Sequence, residues 1–180
     1  MNEKQIIGYI KINKRLGQKA LYEKYADSLF LLCYRYITTK EDAEEIVMQG
    51  FLKVFENIDN FKYQGKGSLK AWMKKIMVNE SLMFIRRKRK FEISDEFDFT
   101  ENFSSDDFHD IDSEYLYQLI LRLPLGYRTV FNMHVIEGMS HKEIAEQLNI
   151  EVNTSKSQLS KARQLLQKYL SELEEHYETA

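Results

Sequence analysis

Ser140-His141-Lys142-Glu143-Ile144-Ala145-Glu146-Gln147-Leu148-Asn149-Ile150, running on through Glu151-Val152-Asn153-Thr154-Ser155-Lys156-Ser157-Gln158-Leu159-Ser160-Lys161-Ala162-Arg163 to Gln167, is the stretch that decides the fold. Ser140 and Glu143 have the spacing of a reciprocal N-terminal cap. They open a short helix that buries Ile144, Ala145 and Leu148. Asn149 falls where a left-handed residue is required, and Asn tolerates that conformation best after Gly. Ile150 closes the turn. The next helix, expected from Asn153, buries Leu159, Ala162, Leu165 and Leu166. Lys156, Ser157, Gln158, Ser160, Lys161 and Arg163 are left off the buried side. A residue as small as Ala145 lets the second helix cross the first closely. This is the pattern of a helix-turn-helix, whose second helix enters a major groove. Its cations would meet phosphates or guanine edges, and its Ser and Gln side chains base edges. The alternative is an ordinary helical hairpin with a solvated polar face.

Upstream, Pro124 stands where a helix start tolerates a missing N–H. Further helices are expected near Glu114–Arg122 and Gly126–Ile136, with the quoted stretch giving Ser140–Gln147 and Asn153–His176. Before them the charge is sharply segregated. From Lys62 to Lys90 the basic residues are Lys62, Lys66, Lys70, Lys74, Lys75, Arg86, Arg87, Lys88, Arg89 and Lys90, against Glu80 alone. From Glu92 to Glu114 there are ten Asp and Glu and no Lys or Arg. The net charge of −2 therefore hides a cationic patch. For a polyanion the local patch matters, because fields are screened over about 8–10 Å in physiological salt. Phe91–Asp112 keeps no helical period and reads as a flexible acidic linker between two blocks.

The N-terminal block also reads as helices. From Asp42 to Ile58 the residues Ala43, Ile46, Val47, Gly50, Phe51, Val54, Phe55 and Ile58 recur at three- and four-residue steps, forming one stripe. Thr38 and Glu41 have capping-box spacing ahead of it. Met48 and Leu52 fall on another face with Glu45, Gln49 and Glu56. They read either as a protein-binding surface or as scattered surface hydrophobes. A second helix is expected over Leu69–Arg89, with Trp72, Ile76, Leu82 and Ile85 inward and Ser68 as its cap. Basic residues with Phe61, Tyr63, Trp72 and Phe84 suit single-strand binding, in which cations track the backbone and rings receive unstacked bases. For Trp72 itself the core reading is favoured over the base platform.

The whole is all-α: two small helical domains, 1–90 and 113–180, joined by the linker 91–112. Seven Gly and one Pro support helices over a many-turned sheet. No apolar run approaches the ~20 residues of a membrane span, and the N-terminus has no signal-peptide core. A single Cys33 rules out an internal disulfide and suits a reducing cytoplasm. His109, His134, His141 and His176 show no metal-ligand spacing with Cys33, and neither a phosphate loop nor a nucleophile elbow is present. No metal, no cofactor and no catalytic role is expected.

Ala20-Leu21-Tyr22-Glu23-Lys24-Tyr25, Asp42-Ala43-Glu44-Glu45-Ile46-Val47 with Phe51-Leu52-Lys53-Val54-Phe55, and Trp72, Ile76, Asn79 and Arg86 resemble a promoter-melting domain. Leu123-Pro124, Tyr127-Arg128-Thr129-Val130-Phe131, Glu137-Gly138-Met139-Ser140-His141-Lys142-Glu143-Ile144-Ala145 and Thr154-Ser155-Lys156-Ser157-Gln158-Leu159 resemble an upstream-element-binding domain. Together, over about residues 17–170, they resemble an extracytoplasmic-function sigma factor of bacterial RNA polymerase. The resemblance implies that 1–90 is sigma region 2 and 113–180 sigma region 4. It implies that Asp42, Glu45, Met48, Gln49, Leu52 and Glu56 dock on the polymerase clamp helices, and that region 4 sits on the flap. For the −10 element it implies Phe61, Tyr63, Lys66, Ser68, Trp72, Asn79, Arg86 and Arg87, which capture a flipped base and hold the opened strand. For the −35 element it implies Thr154, Lys156, Ser157, Ser160, Lys161 and Arg163. It departs from many relatives at Met48-Gln49 and Met83, where they carry Gln-Glu and Asp, and at Glu151, where a Ser is usual, which shifts the expected cap of the second helix to Asn153. Also implied are duplex and single-stranded promoter DNA as partners, an anti-sigma factor, no membrane insertion and a cytoplasmic location. The acidic linker would thread toward the active-site cleft and RNA exit channel and mimic transcript there, which would be read in abortive product yield; the alternative is a solvated spacer. Two other readings stand beside this one: a sigma-like interaction protein that does not open DNA, and a plain helix-turn-helix regulator.

Overall fold

Asn2 opens the first helix, α1 (Glu3–Ile12), through a capping box: its Oδ1 accepts from Gln5 N at 2.9 Å, and Gln5 Oε1 accepts from Asn2 N at 2.8 Å. One residue then serves two helices. Asn13 N donates to Tyr9 O at the end of α1, while its side chain accepts from Leu16 N to start α2 (Lys14–Ile37). So short a joint requires α1 to fold onto α2 at once. Gly17 permits the contact, since a Cβ there would lie 2.5 Å from the backbone nitrogen of Ile10.

The computed structural model describes residues 1–91 and 111–178. They continue with α3 (Lys40–Asn57), a short 3₁₀ turn (Ile58–Asn60) and α4 (Ser68–Phe91). After the acidic stretch come α5 (Ile111–Leu121), α6 (Leu125–Phe131), a π-helical turn (Asn132–Ile136), α7 (His141–Leu148) and α8 (Val152–Glu178). No strand occurs among the described residues. The protein is all-α, and its backbone contacts divide it into two units, 1–93 and 94–180. The linker proposed to act as an RNA mimic lies outside the described residues, apart from its helical edges at Phe91 and at Ile111 and Asp112.

In the first unit α2 touches α1, α3 and α4, so it forms the centre. Leu21, Leu29, Tyr36, Val54, Leu69, Met73, Met77 and Leu82 are fully enclosed. Burying each such side chain is worth about 1.5–3 kcal/mol. The exposed Lys19–Glu23 pair, 3.5 Å apart on α2, adds only a few tenths (~0.3–0.5 kcal/mol). Packing therefore sets the arrangement. Cys33 is part of this core, and burial pushes its thiol up to about 12, leaving it inert.

Three sequence expectations are corrected in this unit. Thr38 does not cap α3: with φ 67° it is the left-handed end of α2, its N–H bonded to Tyr34 O and its hydroxyl to Ile37 O. Thr39 takes the cap position without a side-chain bond. Ser68 does not cap α4 either; it is the first helical residue, and its hydroxyl turns back to Gly65 O at 2.7 Å. Trp72 and Ile76 are not core. α4 is rotated so that Leu69, Met73, Met77, Leu82 and Ile85 point inward, and Trp72 and Ile76 lie half-exposed at the margin.

In the second unit α8 packs on α5, α6 and α7. The buried Arg128 Nη1 donates to Leu121 O at 3.1 Å and Leu123 O at 2.7 Å, closing the end of α5 and holding the turn into α6. Pro124 takes the cap position of α6, as its fixed φ allows.

Candidate nucleic-acid and protein interfaces

The helix-turn-helix forms from local chemistry. Ser140 Oγ accepts from Glu143 N at 3.3 Å and Glu143 Oε2 accepts from Ser140 N at 2.8 Å, so the capping box starts α7. Asn149 ends it at φ 53°, ψ 52°, and Ile150 N donates to Ala145 O at 3.0 Å. α8 begins at Val152, so the cap falls at Glu151 and not at Asn153, which lies inside the first turn. Glu151 O accepts the first helical bond from Ser155 N at 3.1 Å.

Ile144, Ala145, Leu159, Ala162 and Leu166 form the seam between the helices, with Leu148 and Leu165 half-buried at its edge. Lys156, Ser157, Ser160, Lys161 and Arg163 are all exposed, and Thr154 and Gln158 are half-buried. The result is one cationic side on a helix whose other side is core. Ser157 Oγ donates to Thr154 O at 2.9 Å, and Lys161 Nζ lies 5.9 Å from the Tyr127 ring centroid. Behind this face His141 Nδ1 sits 2.9 Å from the buried Ser155 Oγ, and its ring stacks on His134 with centroids 4.3 Å apart. Burial, the charge of His134, and nearby Lys156 and Arg163 hold His141 below the ordinary imidazole value.

The candidate single-strand site in the first unit is assembled from several segments. Phe61 leaves the 3₁₀ turn in extended conformation and its ring meets Trp72 with centroids 4.9 Å apart. Clefts open on either side of this pair. One, of 540 Å³, is lined by Phe61, Lys62, Gln64, Ser68, Trp72 and Lys75 among others. The other, of 470 Å³, adds Lys53, Asn57, Asn79, Glu80 and Met83 around the same two rings. Both fall in the size range of small-ligand sites. The Lys53–Glu80 ion pair at 2.6 Å ties α3 to α4 at the second cleft.

Phe61 and Trp72 thus line both clefts, with Ser68 in the first and Asn79 in the second, and exposed Lys66 and Tyr63 lie on the loop before α4. Arg86 and Arg87 line neither. They lie exposed near the far end of α4, about 27 Å from Ser68 along the helix axis. They could meet phosphates of the same strand but not the same base.

On α3, Met48 and Leu52 are 61% and 54% exposed among exposed Glu45, Gln49 and Glu56, at spacings that make one stripe. Asp42 differs: its carboxylate lies 3.4 Å from Lys88 Nζ and links α3 to α4. Tyr22, absent from the sequence expectations for this face, lies half-exposed over Phe51 with centroids 4.8 Å apart, and it extends the apolar surface onto α2. A second residue that escaped sequence reading is Glu3. Its carboxylate is buried and accepts from Gly67 N at 2.8 Å, Lys70 N at 3.3 Å and Tyr25 OH at 3.2 Å. Burial and that carboxylate push the Tyr25 hydroxyl up to about 12, so it remains a donor.

An all-helical fold with a helix-turn-helix in one unit and a basic, aromatic cleft in the other defines a two-domain DNA-binding protein. Residues 21–91 match the family Sigma-70 region 2 and residues 113–166 match Sigma-70, region 4. The ECF RNA polymerase sigma factor SigW of Bacillus subtilis is 32% identical over 163 residues, spanning 83% of this chain and 86% of that protein. RNA polymerase sigma factor SigV of the same organism is 25% identical, spanning 79% and 84%. The chain belongs to the ECF RNA polymerase sigma factors. Its fold is that of the sigma factor RpoE of Bartonella quintana, solved with the anti-sigma factor NepR, at a TM-score of 0.57, 21% identity and coverage of 85% and 96%. CnrH, solved with the cytosolic domain of CnrY, aligns at a TM-score of 0.51 and 17% identity over 94% and 97% of the chains.

Proposed function

We propose that this chain, a sigma factor directing promoter-specific transcription initiation, divides that task among three surfaces. The outer side of α3 docks on core RNA polymerase, with Met48 and Leu52 at its centre, Tyr22 beside them, and Glu45, Gln49 and Glu56 as the polar rim. Asp42 serves the same surface by holding Lys88 and keeping α4 against α3. In region 2, taken as 1–90, Phe61 and Trp72 hold an unstacked base of the −10 element, with Ser68 in the cleft on one side and Asn79 in the cleft on the other. Tyr63 and Lys66 flank it, and Arg86 and Arg87 meet phosphates further along the strand. Unstacking costs a few kcal/mol, which ring contacts of roughly 1–3 kcal/mol per base and phosphate pairing together offset. In region 4, taken as 113–180, Lys156, Lys161 and Arg163 grip the −35 duplex while Thr154, Ser157 and Ser160 face its groove. Residues 91–112 are the tether.

The observation that carries this reading is the exposed cationic side of α8 on the very helix that buries Leu159, Ala162 and Leu166. A regulator without polymerase would leave the clefts around Phe61 and Trp72 with no role. The reading assigns no catalytic group to the chain and places its work in the cytoplasm, where polymerase acts. Among the described residues no helix is long and apolar enough to cross a membrane. An anti-sigma partner, of the kind solved on RpoE, is part of the proposal.

Run-off transcription tests it. Purified bacterial core polymerase with this chain should give transcripts of defined start from genomic templates, and core alone should not. Holoenzyme that forms yet gives no defined start would leave an interaction protein. Operator binding without polymerase would leave a helix-turn-helix regulator.

A further inference from the structure

We propose that Glu3 is a positioning residue for base capture: from α1 it fixes the Gly65–Ser68 loop and the first turn of α4, and so sets the shape of the cleft beside Trp72. The inference rests on the base-capture reading given above and adds to it a residue outside the matched region 2, which begins at residue 21.

The loop has little shape of its own. Gly65 and Gly67 sit at φ 112° and 91°, where only glycine is unstrained, and both residues are intrinsically permissive. Its local bonds are few: Ser68 N and Oγ donate to Gly65 O, and Gln64 N donates to Ser68 Oγ. Glu3 supplies the anchor from outside. One carboxylate accepts from Gly67 N, the cap position of α4, and from Lys70 N, the third helical residue. These are the two bonds that a capping box would make locally, here supplied from more than sixty residues away. Tyr25 OH holds the same carboxylate from α2.

Glu3 is itself held firmly. The Asn2–Gln5 box fixes the start of α1, Ile6 and Ile10 bury its inner side, and Gly17 lets Ile10 press against the α2 backbone. The geometry therefore runs from α1, through Glu3, to Gly67 and the adjoining Ser68, which lines the cleft beside Phe61 and Trp72. A cleft lining held in place before binding avoids the ordering cost at the moment of capture.

The test uses holoenzyme and fork-junction DNA cut from a template that gives run-off product, either whole or made abasic at each single-stranded position in turn. With the unaltered chain, one position should lose affinity when abasic, marking the captured base. If no position does, the base-capture reading itself fails. At that position Glu3→Ala should shrink the ratio of whole-strand to abasic affinity by roughly 2- to 30-fold, the scale of losing a helix cap. Glu3→Gln, which keeps one acceptor oxygen and the fold, should fall between the two. Core polymerase affinity and the ratios at other positions should not move. An unchanged ratio in Glu3→Gln and Glu3→Ala, or in Glu3→Gln alone if Glu3→Ala does not fold, would overturn the proposal, even with stability lowered.

Discussion

The two regions proposed to face DNA are built on opposite plans. In the second unit the whole surface is one side of α8, and every residue on it lies within ten positions of the next. In the first unit the surface is gathered from a 3₁₀ turn, a glycine loop and the start of α4, tied down by a buried carboxylate on α1. The targets explain the difference. A duplex groove is regular, so a rigid helix matches it without help from other segments. An unstacked base has no regular frame around it, so its seat must be enclosed from several directions. The first plan depends on local sequence, the second on tertiary fit.

Substitution at Trp72 should break the comparison most strongly. Trp72→Ala removes the ring that faces both clefts and leaves the core stripe of Leu69, Met73 and Met77 in place. Affinity of holoenzyme for a single-stranded −10 segment should fall about 5- to 150-fold, the range of one lost stacking contact. Because stacking carries no charge, the slope of log affinity against log salt should stay the same. Trp72→Phe should recover part of the loss. A changed salt slope, or equal loss on a −35 duplex, would show that Trp72 supports the fold instead of receiving a base.

Legibility in the sequence follows the same division. The Ser140–Glu143 box, the left-handed Asn149 and the polar side of Lys156–Arg163 involve partners three or four residues apart, and the structure matches all three readings. The outward face of Met48 and Leu52 was likewise readable from helical phase. Where partners are distant, the reading slipped. Around the start of α4 the apolar residues Leu69, Trp72, Met73, Ile76 and Met77 exceed what one stripe needs, so the sequence favoured Trp72 and Ile76 for the core. Only packing against α2 and α3 selects Leu69, Met73 and Met77. Glu3 gave no signal, because an acid in the first turn already suits the dipole of its own helix. Thr38 misled even over a short range: its spacing to Glu41 pointed to a cap, and a β-branched residue is a rare choice for the left-handed end it forms.

A smaller effect, of opposite character, is expected on α8. Lys156→Ala and Arg163→Ala should each weaken −35 duplex binding across sequences and reduce the salt slope by about one. Together they should leave single-strand affinity unaltered. The contrast with Trp72→Ala is then complete: one region loses affinity with salt dependence, the other without. Unchanged slopes in both variants would mean that this side of α8 meets no phosphate, and the division between the regions would fail.

The smallest expected effect is a difference in pH response between the units. His141 lies behind the reading face, stacked on His134, bonded to Ser155 Oγ, and within the fields of Lys156 and Arg163. Burial first, then these cations, keep its folded value below the unfolded one of about 6.5. The unfolded chain therefore binds more protons in the window between the two values, and stability falls as pH falls through it. Above about pH 6.5 the full stabilisation is present, and below the folded value no further loss occurs. The half-exposed ring is screened by solvent, so the slope should be shallow. Trp72 belongs to the first unit, so its fluorescence follows that unit alone, while helix ellipticity follows both. Lowering pH from 7.5 to 5.5 should lower the thermal midpoint of the transition that Trp72 does not report, and His141→Gln should flatten that dependence. If His141→Gln and the unaltered chain lose stability equally over this range, the imidazole pair has no part in holding the recognition helix.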